Sequence, residues 1–289
     1  MLTSQPIGIF DSGLGGLSIL KAVRGLLPHA SLIYCADSRY APYGEQTDAF
    51  ITARTIAIDH WLQSQGIKAL VIACNTATAH GIDTLRTKTK YPIIGVEPGI
   101  KPAAQASRSG IIGVLATVAT LRSEKFQQLL AKHAAEERRF LCQAGHGLVE
   151  RIETGDIDSP TIINLLETYL QPMLTQGADT LVLGCTHYPF LIPAIRTLVG
   201  DSLTIIDTGM AIAKQLVREL ETSGLIDGPE NFDLMKVRKN QKFLQEKFTP
   251  HGQLSLYATA NTLSMQAMVD KLMTEAPVVH RLTIDDVTT

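Results

Sequence analysis

Two cysteines close apolar runs that read almost alike. Leu70-Val71-Ile72-Ala73 leads into Cys74-Asn75-Thr76, and Leu181-Val182-Leu183-Gly184 leads into Cys185-Thr186-His187, 111 residues further on. In open α/β sheets, ligands gather at the carboxyl ends of strands. Backbone N–H groups and the positive helix end there favour a thiolate and a substrate carboxylate alike. A free thiol titrates near ~8.5, so modest local help makes it a base near neutral pH. Two thiols facing each other across a cleft suit one chemistry well: one takes a proton from a stereocentre while the other returns a proton to the opposite face. Either cysteine alone would as soon be packing, because cysteine is among the most buried residue types. Their equivalent positions in two matching segments favour the chemical reading.

Other groups with chemistry lie near these segments. Asp11-Ser12 follows the first apolar run, beside Gly13-Leu14-Gly15-Gly16. Asp11 suits a helix cap, a role compatible with a place in a site. The glycines permit close backbone approach to a ligand, but Ser18 stands where a dinucleotide fingerprint needs its third glycine. His187, two residues past Cys185, is placed to assist that thiol or to bind a carboxylate. Cys-Thr-His is not a zinc spacing, and the chain has no HExxH or CxxC pair, so no metal is expected. Neither a G-x-S-x-G elbow nor a convincing Schiff-base lysine is present, and cofactor-free proton transfer fits that pattern. Cys35, inside an apolar run, reads as a packing residue, and Cys142, without a counterpart, as a structural one.

The elements that must position these groups alternate. Strands are expected at Ile7–Phe10, Ser31–Cys35, Ala69–Ala73, Ile93–Val96, Ile111–Leu115, Thr180–Leu183 and Leu203–Ile206. Helices are expected at Leu17–Leu27, Asp48–Gln65, Thr120–Ala135, Pro160–Gln176 and Tyr188–Val199. Continuous apolar strands suit a sheet covered on both faces, and β-α alternation argues for α/β units with mainly parallel strands. Ile7–Ser12 is echoed by Ile112–Thr117, in the same order as the cysteine segments, which points to a duplicated unit. The expected architecture is two similar, pseudo-symmetric α/β domains with the site in the cleft between them. Farther on, Asp227–Asn231 and Glu246–Gly252 read as breaks, Ser255–Ala258 as an added strand and Thr262–Met273 as a closing helix. From Glu275 the chain reads as a loose terminus.

Composition narrows the setting. The 289 residues are 45% hydrophobic and 19% charged, ordinary for a globular chain and sufficient for a substantial core. Twenty-six basic side chains against 28 acidic ones, a net −2, argue against nucleic acid or an anionic membrane held by charge. No apolar run approaches the ~20 residues that span a bilayer, and the amino terminus lacks a signal-like pattern. Four cysteines without a secreted spacing fit a reducing, cytoplasmic compartment.

Taken together, five segments resemble bacterial glutamate racemases, of the aspartate/glutamate racemase group. They are Phe10–Gly16, Asp37-Ser38 with Pro42-Tyr43-Gly44, Ala73–Thr78, Gly95–Pro98 and Gly184–Pro189. The resemblance runs from residue 6 to about 220, with a weaker echo at Leu256–Met273. It implies cofactor-independent interconversion of L- and D-glutamate, supplying D-glutamate for peptidoglycan, by a homodimer. It makes Cys74 and Cys185 the acid/base pair, with Asp11 supporting the first and His187 the second. Asp11, Ser12, Tyr43, Gly44, Asn75, Thr76, Thr117, Thr120, Thr186 and His187 would hold the amino acid. It divides the chain into residues 1–97 with 208–289 and residues 98–207. Departures are Ala119 for a glycine and Gly145-His146 for a Cys-Pro pair; Glu153, a helper near the second thiol, is retained. Relatives that depend on a cell-wall precursor as activator carry an amino-terminal extension; with six residues before its first strand, this chain is not expected to share that mode.

Three other readings remain open on residues alone. An aspartate or other acidic substrate would keep the chemistry, a binding protein would hold glutamate without exchanging its α-proton, and a redox protein would join the two thiols reversibly.

Overall fold

The computed structural model describes residues 5–134, 138–226, 252–273 and 275–284. The apolar runs become β1 (Ile7–Asp11), β2 (Leu32–Ala36), β3 (Ala69–Ile72), β4 (Ile93–Gly95), β5 (Ile111–Ala116), β6 (Arg139–Ala144), β7 (Thr180–Gly184) and β8 (Thr204–Ile206). Near the carboxyl terminus lie β9 (Leu254–Ala258) and β10 (Val279–Arg281). The strands form two sheets, ordered β10-β9-β2-β1-β3-β4 and β6-β5-β7-β8, with every pairing parallel. The order β2-β1-β3-β4 recurs as β6-β5-β7-β8, so the duplicated unit read from the sequence is present in the topology. β1, β3 and β7 are buried along their whole length, as central strands covered on both faces must be.

Helices supply the crossovers. They are α1 (Leu17–Leu26), α2 (Asp48–Ser64), α3 (Asn75–Lys88), α4 (Ile100–Ala106), α5 (Val118–Arg122), α6 (Glu124–His133) and α7 (Leu148–Glu153). They continue with α8 (Pro160–Thr175), α9 (Ile192–Val199), α10 (Gly209–Thr222) and α11 (Thr262–Leu272). Leu115, Leu148 and Leu183 share one apolar cluster with Ile9, Leu17 and Val71, so the halves pack against each other through a common core. After β8, α10 returns to pack on α1 and β4, tying the second unit back to the first.

Four expectations need correction. The helix read at Thr120–Ala135 is two, because Ser123 adopts an extended backbone and caps α6 by accepting from Phe126 N. The helix read at Tyr188–Val199 opens as a 3-10 turn over Tyr188–Leu191, with Pro193 at the start of α9, where a missing N–H costs least. β6 is a strand the sequence reading does not include: it is an edge strand with no fully buried position, and its apolar run is only Phe140-Leu141-Cys142, between Arg139 and Gln143, with Cys142 exposed. β10 forms within the stretch read as a loose terminus; only Val279 of its three residues is buried. The break at 227–231 lies outside the described residues, as does the one at 246–252 except for Gly252. Among the described residues no helix is long and apolar enough to cross a membrane.

Candidate active site

The repeated strand order brings the two cysteines together. Cys74 follows β3 and Cys185 follows β7, the equivalent inner strands of the two sheets, and both line one small cavity. From the first unit the wall is Ser12, Pro42, Tyr43, Gly44, Cys74, Asn75 and Thr76. Thr117, Val149, Cys185, Thr186 and His187 face them from the second.

Cys74 is the cap of α3: its Sγ accepts from Ala77 N at 3.4 Å and donates to Ser12 Oγ at 3.4 Å. A helix start favours the thiolate, but burial outweighs it, and the nearby Asp11 carboxylate adds to burial. The Cys74 thiol is pushed up to about 12 and holds its proton. Asp11 ends β1 fully buried; its carboxylate accepts from Gly16 N at 3.0 Å and from Thr186 Oγ1 at 3.2 Å, across to the second unit. Burial raises Asp11 to about 6 against the lowering effect of His187.

The second thiol has different company. Cys185 Sγ lies 3.7 Å from His187 Nδ1, and His187 Nε2 lies 2.6 Å from Glu153 Oε1 at the end of α7. Burial alone would lower His187. The bonds to Cys185 and Glu153 outweigh it and hold the imidazole well above its ordinary range. Glu153 also accepts from Leu14 N at 2.7 Å, so this dyad is fastened to the loop after β1. That loop explains its glycines. A Cβ on Gly15 would lie 2.3 Å from His187 Nδ1, and one on Gly13 1.9 Å from Glu153 Oε1. The glycine run makes room for a buried acid–imidazole pair, which is a different use from cradling a phosphate.

Of the residues selected from sequence, ten line the cavity and two stand just behind it. Asp11 reaches the cavity wall through Thr186, whose Oγ1 donates to its carboxylate at 3.2 Å. Thr120 bonds to Thr117 at 2.9 Å and to Thr76 at 3.4 Å, closing a hydroxyl cluster between the units. Val149 was missed, since an aliphatic residue on a short helix carries no spacing signal. Among the described residues no group of three His, Cys, Asp or Glu is placed to hold a metal ion. The arrangement can present a protonated thiol on one side of a small ligand and an imidazole-paired sulfur on the other. Buried donors between them can meet a carboxylate.

The family model for Asp/Glu/Hydantoin racemase matches residues 17–216. A glutamate racemase of Cupriavidus pinatubonensis is 61% identical over 224 residues, 78% of this chain and 82% of that protein. The structure of Francisella tularensis glutamate racemase in complex with D-glutamate superposes with a TM-score of 0.78 at 25% identity, covering 98% of this chain and 99% of that one. Escherichia coli glutamate racemase, in complex with L-glutamate and the activator UDP-MurNAc-ala, gives a TM-score of 0.78 at 30% identity, covering 97% and 99%. With family model, sequence and fold in agreement over most of its length, the chain belongs to the Asp/Glu/Hydantoin racemase family, among its glutamate racemases.

Proposed function

We propose that the chain interconverts L- and D-glutamate by two-sided proton transfer, with Cys74 and Cys185 as the acid/base pair. The carrying observation is that the two sulfurs reach one cavity from equivalent strand ends of opposed units. As one thiolate removes the α-proton, the other thiol delivers its proton to the opposite face, and the two cysteines exchange protonation states. Cys74 in its neutral form is the donor, and a protonated His187 can stabilise negative charge on Cys185. A substrate ammonium near Asp11 would offset the carboxylate charge that helps keep Cys74 protonated.

Removing an α-proton beside an existing carboxylate builds negative charge that preorganised donors must meet. Asn75 and Thr76 at the start of α3, with Ser12, Thr117 and Thr186, supply such donors from both units. Tyr43 and Gly44 close one wall, and Thr120 holds the facing hydroxyls. None of these steps calls for a cofactor. Residues 1–97 with 208–289 and residues 98–207 act as two domains closing on the ligand, which excludes water. The same reading implies D-glutamate supply for peptidoglycan, a cytoplasmic setting and a homodimer.

The test is incubation with L-glutamate in deuterated water, following optical rotation and the α-proton signal together. Loss of both signals is expected. Retention of both by folded protein would overturn the assignment, whereas exchange without loss of rotation would leave only one of the two thiols at work.

A further inference from the structure

The largest side chain among those fully buried is Arg54, on α2, outside the cavity wall. Its Nε donates to Asp37 Oδ2 at 3.0 Å and its Nη2 to Asp37 Oδ1 at 2.9 Å, with both side chains completely shielded. Two further donors meet the same carboxylate. Thr259 Oγ1, just past β9, donates at 2.9 Å, and the Tyr43 hydroxyl donates at 2.6 Å. Asp37 N in turn donates to Asp11 O at 2.9 Å, joining the ends of β1 and β2.

A buried ion pair gains little net stability over well-packed apolar side chains, but a two-pronged guanidinium–carboxylate contact fixes an angle as well as a distance. What Asp37 holds at that angle is Tyr43, whose ring lines the cavity and whose neighbour Gly44 also does. Gly44 passes so near the other unit that a Cβ on it would lie 3.0 Å from Thr117 Cβ. The turn is therefore set between Thr117 on one side and the Asp37 carboxylate on the other.

We propose that Asp37 is a positioning residue for substrate binding: clamped by Arg54 and Thr259, it holds the Tyr43–Gly44 turn at the height that closes the glutamate cavity. This rests on the cavity being the glutamate site. It also gives β9 and the segment after it, remote from both thiols, a part in substrate affinity.

Tyr43→Phe and Thr259→Val each remove one bond to Asp37 while keeping the ring or the side-chain volume. Each should raise KM for glutamate about tenfold to a hundredfold, as loss of a hydrogen bond to a charged group does, with kcat within about twofold. Thr259→Ser, which restores the hydroxyl, should return KM to the parent value. The double variant should fall short of the product of the single effects, because both act through one carboxylate. Unchanged KM in both folded single variants, or a fall in kcat at constant KM, would overturn the proposal. Should Thr259→Val fail to fold, Tyr43→Phe and Thr259→Ser carry the test. Cys74→Ser separates the two levels of inference. If that variant still racemises glutamate, the site assignment fails. If it is inactive while Tyr43→Phe and Thr259→Val bind as the parent does, only the positioning role fails.

Discussion

Glu153 Oε1 lies 2.6 Å from His187 Nε2, with both side chains buried. The contact fixes which ring nitrogen faces which partner: Nε2 is engaged by the carboxylate, so Nδ1 is the atom presented to Cys185 Sγ. Glu153 comes from α7, 34 residues upstream, and is itself anchored by Leu14 N in the other unit. The dyad thus ties the imidazole beside the second thiol to the loop after β1 in the other unit.

Replacing Glu153 with Gln keeps the shape and removes the charge. His187 should then fall from its raised position, because one of the bonds that offsets burial is weakened. A raised group is protonated up to a higher pH, so lowering it brings deprotonation to lower pH. The alkaline limb of kcat/KM should move downward, with kcat/KM reduced about tenfold at pH 8 and less near pH 6. A pH–rate profile with its alkaline limb unmoved would separate His187 from the chemistry.

Gly15→Ala tests the same dyad sterically. The added methyl would lie 2.3 Å from His187 Nδ1, well inside contact distance, so the imidazole must move. An expected loss of about 100-fold in kcat, with Tm lowered by only a few degrees, would place the effect on the site rather than the fold. Comparable damage to melting and activity would show that the loop cannot yield.

Much of this was legible because the central strands are buried on both faces and must be written as apolar runs. β1, β3, β5 and β7 stand out for that reason, and the cysteines mark the ends of two of them. Of the four edge strands, β4 and β8 carry isoleucine pairs that mark them, but β6 and β10 do not. β6 and β10 are largely solvent-facing, so neither is marked by burial. The duplication is legible as topology but not as chemistry. Asp11 corresponds by position to Ala116 and His187 to Thr76, so each thiol sits among different groups. The reason for Gly13 and Gly15 lies in Glu153 and His187, which only folding brings against them.

Cys74→Ser is a conservative change for the fold, since serine is among the best helix caps and keeps the bond to Ala77 N. Chemistry should not survive it, because an alcohol is a far weaker acid than a thiol. Racemisation should fall by about 1,000-fold or more, with Tm within a few degrees of the parent. L- and D-glutamate have equal free energies in water, so kcat/KM must fall equally in both directions. Polarimetry from each enantiomer, alongside a thermal melt, checks this, and parent-level activity would refute the two-thiol assignment.

Asp11→Asn should divide stability from activity. Asp11 is raised from 3.8 to about 6 by burial, so the native state binds its proton more tightly than the unfolded chain does. For a raised group the favourable contribution is complete at low pH and is lost as pH climbs from about 4 through about 6. Above that range the ionised carboxylate costs the fold something on the order of 3 kcal/mol. Asparagine carries no such cost and still offers an oxygen to Gly16 N or Thr186 Oγ1. The variant should therefore match or exceed the parent's stability at pH 8 and lose that advantage at pH 4. In the parent, kcat/KM should fall on the acid side near pH 6 as Asp11 takes up its proton; the variant should be slow throughout and lack that limb. Denaturant unfolding at the two pH values and a pH–rate profile decide the matter. A variant both less stable at pH 8 and fully active would mean that the ionised carboxylate serves the fold and not the reaction.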